Sequence, residues 1–379
     1  MTSYRQLLAC LMFIALSACT TTPPPHTAPE PEPAPAAEIP GTIETKIGPK
    51  RTIKTTPPET LISIAAVGDM MIGTDFPRNH LPDDDGVSFF SAVTPFLSAA
   101  DIAVGNLEGT LLDGGEPAKQ CKNLNACYLF RSPTRYAQHY RDAGFDALSV
   151  ANNHARDFGE DGRTATMQAL DAVGIHHSGR AGEFASFETK GLSIAFLAFA
   201  VTQKSNLLHD YELAEETVAG FAATHDIVIV TFHGGAEGAS MMHVPFAEEE
   251  YYGEPRGDVT RFSRSMVDAG ADLVLGHGPH VVRGMERYKD RLIAYSLGNF
   301  ATYYGISVEG AKGIAPILVA TLNEKGEFVE GEIVSTVQLR PDGPSIDAEQ
   351  RALNLIRGLS IEDFDEPGLV FHPDGRIRY

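Results

Sequence analysis

The chain has 379 residues and a formal net charge of −20, with 30 basic and 50 acidic side chains. It contains no run of basic residues, which argues against binding to nucleic acid or to anionic lipid headgroups. Hydrophobic residues make up 43% of the chain, which is enough for the core of one large α/β domain or of two smaller ones.

The N-terminus has the features of a secretory signal peptide. Arg5 precedes an apolar run from Leu7 to Leu16, which is too short to span a membrane. The residues just before Cys19 are Leu-Ser-Ala, as in bacterial lipoprotein signals. We therefore predict removal of residues 1–18 and lipidation of Cys19, the alternative being an ordinary signal peptide with an incidental cysteine. Because Thr20 is no retention signal, the predicted location is the periplasmic side of the outer membrane in a Gram-negative cell. In other cells it is the extracellular face of the cell membrane.

Residues 19–57 are rich in Thr, Pro, Ala and Glu and predict a disordered tether, because such a composition cannot bury enough apolar surface to fold. Residues 58–340 are predicted to form the main domain, followed by a helical extension, residues 341–379, packed on it. Cys121 and Cys127 are six residues apart, the wrong spacing for a CxxC metal or redox pair. In an oxidising compartment they predict a small local disulfide.

Strands and helices alternate along the main domain. The predicted strands are Leu61–Val67, Ile102–Gly105, Phe145–Val150, Leu192–Val201, Asp226–Phe232, Ala271–Gly276, Leu292–Ser296, Ile317–Leu322 and Ile333–Leu339. The predicted helices are Ser88–Ala100, Thr134–Ala143, Arg163–Val173, Val259–Ala269 and, in the extension, Ile346–Ile361. The last strands follow one another without a helix, which suggests a parallel-dominated sheet with an antiparallel partner.

Five of these strands end on polar residues that suit metal binding. The set comprises Asp69, Glu108, Asn153, His154, His233, Glu237, His277 and His280. Each residue alone could be a turn cap or a packed loop residue, but all of them share the position where α/β proteins collect ligands. Carboxylates, imidazoles and an amide oxygen are ligands for Zn, Mn or Fe. One or two divalent ions are therefore predicted, and two could polarise a phosphoryl or carbonyl oxygen and lower the pKa of a bound water.

Six ordered motifs resemble the CapA family of poly-γ-glutamate capsule biosynthesis proteins, whose domain is similar to the calcineurin-like metallophosphoesterases. They are Gly68-Asp-Met-Met-Ile-Gly73, Gly105-Asn-Leu-Glu-Gly-Thr110, Ala151-Asn-Asn-His154, His233-Gly-Gly-Ala-Glu237, Gly276-His-Gly-Pro-His280 and Tyr295-Ser-Leu-Gly-Asn-Phe300. The resemblance extends from about residue 62 to residue 325.

The resemblance implies a four-layer α/β/β/α sandwich with the strand ends at one site. It implies that the metal ligands are Asp69, Glu108, Asn153, His233, His277 and His280. It also implies that His154 is the catalytic acid or an electrostatic stabiliser. Glu237 is a second candidate for catalysis or substrate contact, and Arg131, Asn106 and Asn299 are candidates for substrate binding.

Two motifs depart from the phosphoesterase pattern. Phosphoesterases of this type carry Asp-x-His in the first motif, whereas this chain has Met71 two residues after Asp69. The last motif is His-x-x-His, from His277 to His280, where the phosphoesterase pattern is His-x-His. These changes remove a ligand from one of the two metal positions.

Three functions remain open from the sequence. The first is a lipid-anchored, metal-dependent hydrolase or transferase acting on a phosphoester or an anionic polymer, which the ligand-type residues favour. The second is a non-catalytic accessory subunit of a membrane complex that synthesises or exports such a polymer, which Met71 and the acidic surface favour. The third, a solute-binding lipoprotein, fits the polar strand ends less well.

Overall fold

The computed structural model describes residues 60–119 and 128–379. The predicted signal peptide, Cys19, all of the predicted tether and the Cys121–Cys127 pair lie outside these residues. Residues 57–379 belong to a single structural unit, so the described part of the chain can be treated as one domain.

The larger of the two main sheets has ten strands. Its strands are β1 (Leu61–Met71), β2 (Ile102–Leu107), β5 (Ala147–Ser149), β6 (His176–Ser178), β15 (Asn299–Thr302), β16 (Ile314–Asn323), β17 (Phe328–Gln338), β18 (Pro344–Ile346), β19 (Val370–Phe371) and β20 (Arg376–Arg378). The order β1-β2-β5-β6 is parallel. β16 and β17 extend the other side of β1 in antiparallel fashion, and β15 runs parallel to the end of β1.

The smaller sheet has six strands in the order β13-β14-β12-β9-β8-β7. They are β7 (Ala185–Thr189), β8 (Leu192–Ala200), β9 (Ile227–His233), β12 (Leu273–His277), β13 (Met285–Tyr288) and β14 (Arg291–Ala294). Its four central strands are parallel, and β7 and β13 are antiparallel edges. Two short pairs stand apart: β3 (Thr110–Leu111) with β4 (Arg131–Ser132), and β10 (Glu249–Tyr251) with β11 (Glu254–Gly257).

The two sheets pack face to face, with five of the six helices of the described residues on their outer faces and the last helix against the core between the sheets. The helices are α1 (Thr94–Leu97), α2 (Ala137–Ala143), α3 (Gly159–Ala172), α4 (Tyr211–Ala222), α5 (Val259–Asp268) and α6 (Arg351–Asp363). One core lies between the sheets and contains Ile64 of β1 and Ile229 of β9. A second core joins α1, α2 and α3 to the large sheet, and a third joins α4 and α5 to the small sheet. The α/β/β/α sandwich that the resemblance implies is therefore the observed fold.

The C-terminal residues complete this arrangement. The last helix, α6, contributes Leu353, Ile356 and Leu359 to the core between the sheets. The strands β18, β19 and β20 join the large sheet beside β17. Among the described residues, no helix is both long enough and apolar enough to cross a membrane.

Two sequence predictions differ from this structure. The parallel strands are divided between two sheets, and the antiparallel strands β16 and β17 extend one of them, where the sequence suggested a separate partner. The helix predicted over Ser88–Ala100 is mostly a series of tight turns, with only Thr94–Leu97 helical. Pro95 cannot donate a backbone hydrogen bond, and bonds such as Phe89 N–H to the Gly86 carbonyl close turns that are too tight for an α-helix.

Candidate metal centre

The carboxyl ends of four parallel strands place polar side chains between the sheets. In the large sheet, Asp69 of β1 pairs with Asn106 of β2. In the small sheet, His277 of β12 pairs with His233 of β9. Neighbouring parallel strands end at the same edge, so each pairing sets two polar side chains side by side.

Glycines immediately before two of these residues let other chain segments approach closely. A Cβ atom on Gly68 would lie 1.9 Å from the Gly298 carbonyl oxygen, and one on Gly276 would lie 2.2 Å from the Tyr295 carbonyl oxygen. Any larger residue would displace the backbone that holds Asp69 or His277 in place. The glycines of these motifs thus serve to position the polar residues that follow them.

Asp69, Glu108 and His233 form the centre of the site. Each can offer one ligand atom such that all three atoms lie within 4.8 Å of one another. All three side chains are fully buried. The Nε2 atom of His233 lies 3.6 Å from Oε1 of Glu108, and Nδ1 of His277 lies 3.5 Å from Oδ1 of Asp69.

His280 links the two carboxylates of this centre. Its Nδ1 atom lies 3.1 Å from Oδ2 of Asp69 and 2.9 Å from Oδ1 of Asn299. Its Nε2 atom lies 3.8 Å from a carboxylate oxygen of Glu108 and 3.8 Å from one of Glu237. The backbone of His280 has φ of +59°, a left-handed conformation that few residues other than glycine adopt. Such strain is concentrated at functional sites.

Among the described residues, several buried polar atoms of the predicted ligands have no hydrogen-bond partner. They are both carboxylate oxygens of Glu108, both ring nitrogens of His233, Nδ1 of His277 and Oδ1 of Asn153. Burying polar groups without partners costs free energy, so such atoms are rare in native proteins. All of these are ligand atoms for Zn, Mn or Fe. The predicted ligand set therefore fits a divalent metal ion, which would bind one ring nitrogen of His233 together with atoms of the other residues.

Electrostatics at the centre also suit a cation. Burial, and then the nearby Asp69 carboxylate, raise the pKa of Glu108 to about 7. Burial lowers the pKa of His233 to about 3, which keeps its imidazole neutral and able to act as a ligand. Burial alone would raise the pKa of Asp69, but the neighbouring imidazoles of His277 and His280 outweigh it and lower this pKa far below its usual range. Burial alone would lower the pKa of His280, but Glu108 and Asp69 outweigh it and raise this pKa to about 10.

A relay of amides orients Asp69. The Asn106 side chain donates to Oδ1 of Asp69 at 2.9 Å, and the Asn152 side chain donates to Oδ1 of Asn106 at 3.1 Å. Oδ1 of Asn152 accepts from the His154 backbone N–H at 3.0 Å. Asn106, predicted from the sequence to bind substrate, thus lies fully buried behind Asp69, where it fixes the carboxylate.

His154 belongs to a second group of interacting side chains. Its Nδ1 atom lies 2.8 Å from Oδ2 of Asp157, and the same oxygen accepts from the Phe130 backbone N–H. Nζ of Lys119 lies 3.1 Å from the other Asp157 oxygen and 3.5 Å from Nδ1 of His154. The Phe130 ring lies 4.3 Å from the His154 ring between centroids. Lys119 escaped the sequence analysis because it is far from the Asn-His motif in the chain.

The loop that carries Glu237 is braced by two buried ion pairs. Arg256 donates to the Gly235 carbonyl and lies 3.0 Å from a carboxylate oxygen of Glu237. Arg283 makes two hydrogen bonds, of 2.8 and 2.7 Å, to Glu249, and Glu249 also accepts from the Ala236 backbone N–H. The two ion pairs connect the β10–β11 hairpin to the loops of the site. No sequence motif indicated this connection.

The other predicted site residues lie around the centre. Besides contacting His280, Asn299 uses its amide nitrogen to bond the backbone carbonyls of His280, Ser307 and Lys312. Within the described part of the chain, the polar contacts of the Arg131 side chain are with Asp75 and the Gly115 carbonyl, and none is with the metal centre.

Two bacterial proteins are similar to this chain over part of its length. The chain is 29% identical over 265 residues to "Capsule biosynthesis protein CapA" of Bacillus anthracis, covering 63% of this chain and 59% of that protein. It is 30% identical over 259 residues to "PGA biosynthesis protein CapA" of Bacillus subtilis strain 168, covering 64% and 63%. The chain thus spans less than two thirds of the length of either relative.

One solved structure that the chain matches is a purple acid phosphatase isolated from yellow lupin (Lupinus luteus) seeds. It has a TM-score of 0.37 and 10% sequence identity, with 81% of this chain and 56% of that chain covered. At the level of families, the profile described as "Bacterial capsule synthesis protein PGA_cap" matches residues 63–304. This match extends over more than half of the chain, which therefore belongs to the PGA_cap family of bacterial capsule synthesis proteins.

Proposed function

We propose that the protein is a metal-dependent phosphoesterase that acts during the synthesis, export or processing of an anionic extracellular polymer of the poly-γ-glutamate type. The observation that carries this proposal is the group of unpaired, fully buried ligand atoms on Glu108 and His233, next to Asp69. A purely structural site has no reason to leave such atoms without partners.

Asp69, Glu108, Asn153, His233, His277 and His280 would hold one or two divalent ions. When bound, such an ion supplies Lewis acidity toward a phosphoryl oxygen and lowers the pKa of a coordinated water. Zn, Mn and Fe all match the mixture of nitrogen and oxygen ligands.

His154 would act as the acid that protonates the leaving group. Asp157 holds Nδ1 of His154 at 2.8 Å, which fixes the orientation of the ring and leaves Nε2 free to transfer a proton. The hydrogen bond from the His154 backbone to Asn152 and the contact with Phe130 fix the ring further. Glu237, whose carboxylate lies 3.0 Å from Arg256, would contact the substrate or assist in proton transfer.

The names of the two relatives support the choice of an envelope polymer as substrate, since both refer to capsule or PGA biosynthesis. The N-terminal sequence supports attachment to a membrane through lipid on Cys19. The domain would then work next to a membrane complex that synthesises or exports the polymer. Replacing Cys19 by Ala should release the protein from the membrane fraction, and unchanged fractionation would contradict this anchor.

The test measures metal content and hydrolysis in the same preparation. Full-length protein is analysed by mass spectrometry for bound metal and assayed with bis-para-nitrophenyl phosphate in the presence of Mn or Zn. We expect near-stoichiometric metal and turnover in the wild type. His154→Ala should keep its metal and lose turnover, whereas His277→Ala should lose metal, and His225→Ala is the matched control.

Equal metal in the wild type and His277→Ala after dialysis would contradict the metal centre. Metal without turnover would favour the second candidate, a non-catalytic accessory of a polymer synthesis or export complex. One observation supports that alternative: Met71 is buried against Phe130 and Ile306 at a position where the phosphoesterase pattern has a histidine ligand. Replacing Met71 by His and finding new turnover would show that this position limits catalysis.

A further inference from the structure

Three arginines meet around one carboxylate beside the His154 loop, although the sequence has no basic run. We name Arg156, Arg163 and Arg180 the arginine patch. Nε of Arg156 and Nη2 of Arg163 each lie 2.7 Å from Oε1 of Glu160. Nε of Arg180 lies 3.6 Å from the other oxygen of Glu160. One acidic group therefore faces two arginines from its own stretch of chain and a third, Arg180, from a different loop.

The three arginines differ in accessibility. The Arg163 side chain is 2% exposed and also bonds the Lys204 carbonyl, so it is a structural member of the patch. The side chains of Arg156 and Arg180 are 35% and 26% exposed, respectively. Arg180 also donates to Thr164 at 2.6 Å and lies 3.5 Å from Glu183. Arg156 and Arg180 are thus held in place while part of each side chain remains open to solvent.

The arginine patch is connected to the proposed catalytic group. Arg156 is two residues after His154 and directly precedes Asp157, which contacts His154. Lys119, 30% exposed, lies against Asp157 and His154. The exposed Lys204 adjoins the patch, where its backbone carbonyl accepts from Arg163. Lys119 and the arginine patch therefore place cationic side chains on the surface next to His154.

Such a surface has a specific meaning in a protein with a net charge of −20. The overall charge repels a polyanion, so a polyanion must be attracted locally to reach the site. Arginine forks match the planar geometry of carboxylates and can bind them through two parallel hydrogen bonds. A chain of closely spaced carboxylates could make such contacts at Arg156 and Arg180 in succession.

We propose that Arg156 and Arg180, with Lys119 and Lys204, form a docking surface for a polycarboxylate chain and hold a segment of it beside His154. This inference rests on the proposed function for the role of His154, but the binding itself does not require catalysis. The docking surface would contact the polymer on either side of the reacting group. The metal centre cannot make these contacts.

The test compares binding of fluorescein-labelled polyglutamate to full-length wild type and to Arg156→Glu, Arg180→Glu and the double variant, by fluorescence anisotropy. Each charge reversal should weaken binding about tenfold, and wild-type binding should weaken as salt is raised. Arg376→Glu is the matched control, because Arg376 is an exposed arginine paired with one aspartate, and it should bind as the wild type does. Arg156→Gln and Arg180→Gln serve if a reversal prevents folding, and thermal unfolding verifies that each variant is folded.

Folded variants that bind polyglutamate as the wild type does would overturn the proposal. It would also be overturned if the variants lost binding only to phosphatidylglycerol vesicles, because the patch would then contact lipid. If the wild type shows no turnover while patch variants still lose polyglutamate binding, the docking surface stands and the phosphoesterase proposal fails.

Discussion

Aspartates at the amino-terminal ends of the parallel strands are hydrogen-bonded to the neighbouring strand, whereas several polar atoms at the carboxyl ends have no hydrogen-bond partner among the described residues. Four aspartates directly precede a parallel strand, namely Asp101, Asp146, Asp226 and Asp272. Each accepts a hydrogen bond of 2.8 or 2.9 Å from a backbone N–H of the neighbouring strand. Each also donates its own backbone N–H to a carbonyl of that strand.

The same residue types thus serve opposite purposes at the two edges of the sheets. At the amino-terminal edge an aspartate closes a backbone ladder and stabilises the fold. At the carboxyl edge, Glu108 and His233 have polar atoms without a partner among the described residues, which costs stability. Unpaired polar atoms, more than the residue types themselves, therefore mark the edge that carries the proposed metal centre.

The largest effect is expected at the carboxyl edge, from Asp69→Asn. This change keeps the shape of the side chain but removes the charge that faces His277 and His280. Metal affinity should fall by more than about a hundredfold, since even loss of a group that only orients a ligand can cost that much. Metal titration by calorimetry measures the change. Asp226→Asn is the control from the other edge. Equal metal affinity in the two variants would show that Asp69 contributes no more to metal binding than Asp226 does.

The amide relay should show a smaller effect on the same measurement. Asn106→Leu removes the donor to Asp69 and the acceptor for Asn152 without removing a predicted ligand. Metal affinity should fall by about 10- to 100-fold, as is typical for groups that orient ligands. Asn323→Leu, at the amino-terminal side of the large sheet next to β1, is the matched control. Unchanged affinity in Asn106→Leu would show that Asp69 needs no orientation.

Replacing Glu108 should make the metal-free protein more stable. In metal-free protein this carboxylate is buried close to Asp69, and the neighbouring negative charge opposes its ionisation. In the presence of chelator at pH 8, Glu108→Gln should therefore raise the free energy of unfolding by about 1–3 kcal/mol. Urea denaturation measures the difference. A variant less stable than the wild type would show that Glu108 supports the fold.

The sequence indicated which residues would meet at the carboxyl edge of the sheets. It did not indicate the hydrogen bonds that the aspartates make at the amino-terminal edge. Asp69, Glu108, His233 and His277 each follow an apolar strand within a glycine-containing motif, and that local pattern indicated a shared site. An aspartate just before a strand, such as Asp272, has the same appearance as an ordinary turn residue. Its function depends on the neighbouring strand, whose identity the local sequence does not reveal.

Other features depend on contacts between distant segments. The division of the parallel strands between two sheets could not be predicted, because strand order is set by pairing and not by local pattern. Lys119 reaches His154 from 35 residues away, and Arg180 reaches Glu160 from a different loop. Absence of a basic run in the sequence therefore did not exclude a basic surface in the fold.

The smallest effect is expected at the amino-terminal edge, from Asp101→Asn. Asp101 accepts from the backbone N–H and hydroxyl of Ser63 and lies 2.8 Å from Nζ of Lys190. At pH 7 the variant should lose about 1–2 kcal/mol of unfolding free energy with unchanged metal affinity. Asp374→Asn, at an exposed pair with Arg376, should show no measurable loss.

The pH dependence of this loss tests its cause. Burial alone would raise the pKa of Asp101, but the bonds from Lys190 and Ser63 outweigh it and lower this pKa below its ordinary value of 3.8. A lowered pKa gives stability that is fully present above the unfolded-state pKa and is lost as pH falls through the folded-state pKa. The difference between wild type and Asp101→Asn should therefore be constant near neutrality and shrink in acid. A difference that persists in acid would mean that the shape of the side chain, and not its charge, closes this edge of the sheet.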